Sequence, residues 1–145
     1  MIQNIPPLGI LIILVNVIVS LRGFKDDIFF NKYRFEIRKL REGDYFRLLG
    51  SGFLHVNTTH LLFNMMTFYF FVSFVFSALG TIEFSILYFG SLITGNLFAY
   101  AFHYNQPNYS AVGASGAVTG VLFSALLLYP SIAVSYTHLT LPTKA

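Results

Sequence analysis

The chain of 145 residues lacks cysteine, and only 10% of its residues are charged. Without cysteine it has no disulfide and no thiolate metal site, and we expect neither a metal nor an organic cofactor. A soluble domain usually carries about 25% charged residues. Here 55% of the residues are hydrophobic, 18% are aromatic and the mean hydropathy is +0.66. This composition indicates an integral membrane protein with one domain of a few helices and short loops.

The few charges are concentrated in one segment. Eight of the nine basic residues lie between the first two apolar segments: Arg22, Lys25, Lys32, Arg34, Arg38, Lys39, Arg41 and Arg47. Aromatic and aliphatic residues are interspersed with them, which is typical of a segment that lies in the membrane interface. A solvated charged loop is the alternative. Because the charge belongs to one loop, we expect the lipid bilayer and not nucleic acid as a partner.

Four apolar segments predict helices, at about residues 8–21, 57–79, 81–103 and 115–130. A signal peptide is the alternative for the first, but its basic residue, Arg22, follows the apolar core instead of preceding it. The apolar run of the last segment, residues 117–129, is only 13 residues long before Pro130, whereas a helix needs roughly 20 residues to cross a bilayer. We therefore expect this helix to begin below the membrane surface.

The last helix is predicted to begin at Ser115, which has small neighbours and follows a polar loop. Irregular backbone at membrane depth is tolerated only where it is buried in protein or lines a water-filled cavity. The sequence thus predicts a recessed, hydrated serine beside free helix N-terminal amides, which favour negative charge.

His60 and Asn64 are four residues apart and share one face of the second predicted helix. Polar groups in hydrocarbon are costly, so this face must look towards protein or a cavity. His55 is five residues before His60, and we expect it to point elsewhere and to bond to loop backbone.

Three motifs occur together in the sequence: His60-x-x-x-Asn64, Gly113-x-Ser115-Gly116 and Phe46-Arg47. In combination they resemble the rhomboid family of intramembrane serine proteases. The resemblance implies an all-α polytopic membrane protein with a rhomboid-like helical bundle, of whose usual six transmembrane helices four are present. It also implies that Ser115 is the nucleophile and that His60, Asn64 and Gly113 bind the oxyanion.

The activity implied by the resemblance is endopeptidase cleavage of transmembrane segments, by a multi-pass protein of the bacterial cell membrane. Transmembrane protein substrates are then the partners. The general base of the family is a histidine on a sixth helix, which this chain lacks, and neither His103 nor His138 matches that position. We therefore expect the 145-residue chain by itself to be inactive.

Residues 135–145 do not continue the apolar pattern and resemble translated sequencing-adapter sequence. We predict a partial rhomboid membrane domain over residues 1–134, followed by an artefactual tail. A genuine C-terminal tail is the alternative.

Two other functions and one conflict of orientation stay open. A rhomboid-like protein could bind transmembrane clients without cutting them, and a transporter or structural bundle could use His60, Asn64 and Ser115 for interhelical hydrogen bonds. The positive-inside rule predicts that the basic loop is cytoplasmic. The resemblance implies that this loop lies on the outer face, and we follow the resemblance.

Overall fold

The computed structural model describes the backbone of residues 4–140 and the side chains of residues 4–135. The elements follow one another as α1 (Pro7–Lys25), α2 (Asp27–Tyr33), β1 (Phe35–Glu36), α3 (Ile37–Arg41), α4 (Arg47–Gly50), a 3-10 turn (Ser51–Phe53), α5 (Thr58–Phe102), β2 (Ser110–Ala111), α6 (Ser115–Leu128) and α7 (Pro130–Thr140). Among them, α1 and α5 are long and apolar enough to cross a membrane. The predicted class, an all-α membrane protein, is confirmed.

Helix α1 starts at Pro7 and continues to Lys25, four residues beyond the predicted end. Proline suits the first helical turn, because its missing N–H would have no partner there. The extension places Arg22 and Lys25 in the last turn, where cations interact favourably with the helix dipole. Asp26 then accepts a hydrogen bond from the Phe29 amide at 3.0 Å and starts α2.

Helix α5 is interrupted at Gly80, whose φ of 82° and ψ of −179° are not helical. The two halves, residues 58–79 (α5a) and 81–102 (α5b), have 22 residues each, which is long enough to cross a bilayer. Phe68 in α5a contacts Phe84 and Tyr88 in α5b, at ring distances of 6.3 and 5.6 Å. The two halves thus form an antiparallel hairpin over the residues for which the sequence predicts two helices.

Helix α6 packs closely against α5b because both present small residues at the contact. A Cβ atom added to Gly120 would lie 2.7 Å from the Ser91 Cβ, and one added to Gly116 would lie 3.5 Å from the Ser91 carbonyl oxygen. Small residues permit such close approach of two membrane helices. This contact fixes the start of α6 beside α5b.

The loop between α1 and α5 is folded and has a small core of its own. Phe35, Ile37 and Leu40 are almost fully buried, with Tyr109 packed against them. Strand β1 pairs antiparallel with β2, so that Phe35 lies opposite Ala111. The loop is therefore not the solvated charged segment that the sequence left as an alternative, and it is attached to the residues just before α6.

The buried side chain of Arg47 connects three parts of this loop through hydrogen bonds. It is 5% exposed, and its Nη1 donates to the carbonyl oxygens of Asn31 and Arg34, both at 2.8 Å. Its Nε donates to Asp44 Oδ2 at 2.7 Å. A buried guanidinium is tolerated because these charge-assisted bonds satisfy it.

Helix α6 ends at Leu128, and α7 follows from Pro130 to Thr140. The sequence did not predict this helix, although proline is favoured in the first turn. The backbone of residues 135–140 is helical, whereas residues 141–145 lie outside the described part of the chain. The artefactual origin of residues 135–145 stays a prediction.

Candidate active site

Ser115 is the first residue of α6 and is exposed. Neither its hydroxyl nor its backbone amide forms a hydrogen bond with another described residue. The amide is free because the first amides of a helix have no carbonyl ahead of them. Ser115 therefore combines an unengaged hydroxyl with an unengaged N–H donor at the positive end of the helix dipole.

Gly113, two residues before the serine, is where His60 and Asn64 meet the loop. A Cβ atom added to Gly113 would lie 3.0 Å from His60 Nε2 and 3.8 Å from Asn64 Nδ2, and its φ of +132° disfavours any other residue. Its own N–H donates to the Ser51 carbonyl oxygen at 3.0 Å. Glycine thus allows both side chains to approach the loop, while its amide is already engaged.

The imidazole of His60 is oriented by the start of α5. Asn57 caps the helix by accepting from the His60 amide at 2.9 Å. The Val56 N–H donates to His60 Nδ1 at 3.5 Å. With Nδ1 as an acceptor, the neutral ring carries its proton on Nε2, the atom that lies against Gly113. This tautomer follows from the hydrogen bond and presents a donor to the loop.

Asn64, one turn further along α5, is 9% exposed. Its Nδ2 is buried and has no hydrogen-bond partner. Leaving a buried donor unpaired costs about 1–3 kcal/mol, so such groups are rare in folded proteins. Asn64 therefore presents a free amide donor beside the loop that leads to Ser115.

His55 is fully buried behind the loop. Its Nδ1 lies 2.8 Å from Ser20 Oγ, which itself donates to the Phe53 carbonyl oxygen at 2.9 Å. Its Nε2 accepts from the Ala114 N–H at 3.5 Å. The predicted bond from His55 to loop backbone is confirmed, and it connects α1 to the residue before Ser115.

The electrostatics of His55 follow from its surroundings. Burial and, to a smaller extent, repulsion by His60 together lower the pKa of His55 to about 4, although the hydrogen bond with Phe53 opposes the shift. The prediction that His55 points away from His60 was wrong, since the two rings are in edge contact with centroids 4.9 Å apart. The intervening turn folds back, which helical spacing does not anticipate.

A cavity of about 210 Å³ opens beside the serine, with Ser115, Gly113, Ser51 and Asn96 in its wall. Asn96 Nδ2 donates to the Leu48 carbonyl oxygen at 2.7 Å and lies 3.3 Å from Ser51 Oγ. This volume is sufficient for several water molecules, and the wall provides polar partners for them. Ser51 and Asn96 were not predicted from the sequence, although an asparagine within an apolar helix is a signal for such a site.

None of the histidines whose side chains are described forms a hydrogen bond with Ser115. His103 stacks on Tyr109 with ring centroids 3.6 Å apart and bonds to Gln106 at 3.0 Å. His55 and His60 have the partners given above, and His138 lies outside the described side chains. In the described part of the chain no cluster of three histidine or acidic residues could hold a metal ion.

Comparison with known proteins gives a family match over most of the chain. Residues 42–143 match the model of the Rhomboid domain. YdcA of Bacillus subtilis (strain 168), named as a rhomboid protease candidate, is 40% identical over 80 residues, which are 54% of this chain and 39% of YdcA.

Two further relatives are 32% identical. GluP, a rhomboid protease of Bacillus subtilis (strain 168), matches over 93 residues, 64% of this chain and 17% of GluP. Inactive RHOMBOID-like protein 8 of Arabidopsis thaliana matches over 83 residues, 57% of this chain and 24% of that protein. The chain thus spans well under half the length of these three relatives.

Proposed function

Because the chain belongs to the rhomboid family, we propose that it carries the nucleophile and the oxyanion-binding groups of an intramembrane serine endopeptidase. In this proposal Ser115 attacks a peptide carbonyl carbon. His60, Asn64 and the Ser115 amide donate hydrogen bonds to the oxygen as it becomes negative. The family match confirms the resemblance predicted from the motifs, and the roles of the residues are our proposal.

The unpaired amide of Asn64 carries this proposal. A buried donor without a partner is costly in the resting protein, and the cost is understandable if its acceptor appears only during the reaction. His60 Nε2 lies against the same residue, Gly113, as the Asn64 amide. Donors fixed where charge develops need no reorganisation during the reaction, which makes such an arrangement effective.

The same observation weighs against a transporter or structural bundle. That function would use His60, Asn64 and Ser115 for interhelical hydrogen bonds. Within the described residues, Asn64 Nδ2 and Ser115 Oγ form none, and the side chain of His60 bonds only to the Val56 amide of its own helix start. The polar groups are therefore not used to join helices.

Gly113, predicted as an oxyanion group, has a different role in the proposal. Its N–H is engaged by Ser51, so it contributes through its lack of a side chain and not as a donor. The serine hydroxyl also needs a base to accept its proton. Since none of the described histidine rings forms a hydrogen bond with Ser115, we assign this role to a group outside them, for which the resemblance implies a histidine on a later helix.

Transmembrane segments are the proposed substrates, and the bacterial cell membrane is the proposed location. The start of α6 leaves Ser115 and Thr119 exposed on one face, one turn apart, and Phe123 continues that face at 59% exposure. An apolar segment can approach the serine along this face. The bacterial location is proposed because YdcA and GluP belong to Bacillus subtilis.

The test is cleavage of a model transmembrane substrate by the protein expressed from the complete reading frame of its gene in membranes. Ser115→Ala should abolish cleavage, because the nucleophile is lost. Ser124→Ala, on the same helix and partly buried, is the matched control and should retain it. Equal cleavage by the Ser115→Ala variant and the parent would overturn the proposal.

Binding of transmembrane clients without cleavage is a second candidate, which the similarity to an inactive rhomboid-like protein favours. In the same membranes, it predicts that the substrate co-purifies with the parent and with Ser115→Ala alike, and that neither protein cuts it.

A further inference from the structure

A second cavity, of about 270 Å³, lies between α1 and the loop that follows it. Its wall is almost entirely apolar, with Val15 and Val19 on one side and the rings of Phe29, Tyr33 and Phe46 on the other. None of these residues belongs to the site around Ser115. We call this cavity the aromatic groove.

Two cationic side chains form cation–π contacts with rings of the aromatic groove. The Arg22 guanidinium carbon is 4.6 Å from the centroid of the Phe29 ring, and Lys32 Nζ is 5.4 Å from that of Tyr33. Such contacts orient the cations and leave their N–H donors available. Both side chains belong to exposed residues.

Neither cation is neutralised by an acidic side chain. The ion pairs among the described residues are Arg34–Glu36, Lys39–Glu42 and Arg47–Asp44. Asp26, one turn after Arg22, accepts instead from the Phe29 amide, and Asp27 lines a different surface pocket. The edge of the aromatic groove therefore has uncompensated positive charge.

The depth of the groove follows from helix geometry. Val15, Val19 and Arg22 are spaced by four and three residues, so they form one stripe along α1. Along the helix axis, Val15 lies roughly 10 Å from Arg22, towards the middle of α1. Because α1 is long and apolar enough to cross the membrane and Arg22 is in its last turn, the cation is at headgroup level and the valines are at acyl-chain level.

We propose that the aromatic groove binds one anionic phospholipid. Its phosphate pairs with Arg22 and Lys32, and one acyl chain runs down the groove along Val19 and Val15. An apolar wall below and free cations above match the two halves of such a molecule. A zwitterionic lipid offers the same chains without the net charge, so the site should prefer the anionic one.

The experiment is native mass spectrometry of the purified 145-residue chain in a non-ionic detergent micelle. It compares dioleoyl phosphatidylglycerol, dioleoyl phosphatidylcholine and glycerol 3-phosphate. We expect one phosphatidylglycerol to remain bound, with weaker phosphatidylcholine binding and no retention of glycerol 3-phosphate. Equal retention of the two lipids, or retention of glycerol 3-phosphate as strong as that of phosphatidylglycerol, would overturn the proposal.

Variants test the two halves of the groove separately. Removing one cation should weaken phosphatidylglycerol binding by roughly fivefold, so Arg22→Gln with Lys32→Gln should weaken it more than tenfold. Lys39→Gln with Arg41→Gln removes the same charge from the same loop but outside the groove, and should retain binding. Val19→Phe, which fills the apolar part, should weaken both lipids.

Two results with these variants would contradict the proposal: equal loss in both charge pairs, which indicates attraction by net charge alone, or unchanged binding in Val19→Phe. Far-ultraviolet circular dichroism of each variant establishes that it is folded. The assay requires no catalysis, so its outcome is independent of the proposed proteolysis.

Discussion

At Asn64, stability and function make opposite demands on one side chain. Its amide is buried without a partner, which costs the folded protein free energy, while the proposed reaction needs that donor to be free. Unpaired groups of this kind are expected where a site is organised for a transition state and not for the resting protein.

Asn64→Leu should therefore raise stability and lower activity. Removing the unpaired donor is expected to stabilise the protein by about 1 kcal/mol, while cleavage should fall by about 10²- to 10³-fold. Unfolding in detergent measures the first and the membrane cleavage assay the second. Asn96→Leu is the control, because its amide is paired with Leu48 and Ser51 and its loss should destabilise. A clear loss of stability in Asn64→Leu would contradict this account.

His55 gives a prediction about pH. Its pKa is lowered from 6.5 to about 4 by burial and by His60, so below pH 6.5 the unfolded chain binds a proton that the folded one does not. Neutral His55 therefore makes its full contribution to the stability of the folded protein above pH 6.5. This contribution is lost as the pH falls towards 4. We expect about 1–2 kcal/mol of this loss between pH 6.5 and 5.

Unfolding at a series of pH values measures this effect. His55→Gln should flatten the profile, because it removes the group whose pKa is lowered in the folded protein. A profile that is equally steep with and without His55 would show that other groups cause it.

The residues of the site were partly predictable from the sequence. His60 and Asn64 were found because helical spacing places them on one face, and Ser115 because a short apolar run begins there. Ser51 and Asn96 were missed because they meet across 45 residues of chain, which no local pattern encodes. The hydrogen bond of the Gly113 amide could not be predicted either, since its acceptor belongs to a segment distant in the sequence.

At the scale of elements, two apolar segments of the sequence correspond to the two halves of α5, whereas no pattern indicated the structure of the loop before it. Gly80 adopts a backbone conformation that is essentially restricted to glycine, and apolar runs on both sides make the helices evident. The pairing of β1 with β2 involves two residues on each side, too few for a strand pattern to be recognised.

The contact of α6 with α5b predicts how two glycines differ. Gly120→Ala should destabilise by about 1–3 kcal/mol, because the new Cβ would overlap with Ser91. Gly90→Ala is the control, since nothing lies within 4 Å of its added Cβ, and it should be neutral or slightly stabilising.

Both variants are compared by unfolding in detergent. Ser91→Gly should rescue Gly120→Ala, because it removes the atoms that the new methyl group meets. If Ser91→Gly did not restore stability, the loss of stability in Gly120→Ala would have a cause other than overlap with Ser91.

At the scale of the whole molecule, the folded loop bears on orientation. Counting basic residues treats every charge in residues 22–47 as unpaired. In the folded loop, however, Arg34, Lys39 and Arg47 are in ion pairs, and Arg47 is buried. The positive-inside rule counts the Lys and Arg residues of short loops, and we expect this count to mislead for a loop that folds into a structure of its own.

We therefore expect a reporter fused after Arg41 to lie on the outer face of the membrane. Alkaline phosphatase, active only outside, and green fluorescent protein, fluorescent only inside, should give opposite signals at this site. Fluorescence without phosphatase activity would show that the charge rule determines the topology.

The pairing of β1 with β2 places Phe35 opposite Ala111, which is 76 positions later in the chain. A ribosome must have released both α5a and α5b before this pair can form, and closing so long a segment costs entropy that local helices do not pay. The segment in front of Ser115 thus becomes ordered only after the hairpin has been made. We expect a chain whose synthesis stops before Ala111 to leave strand β1 without its partner.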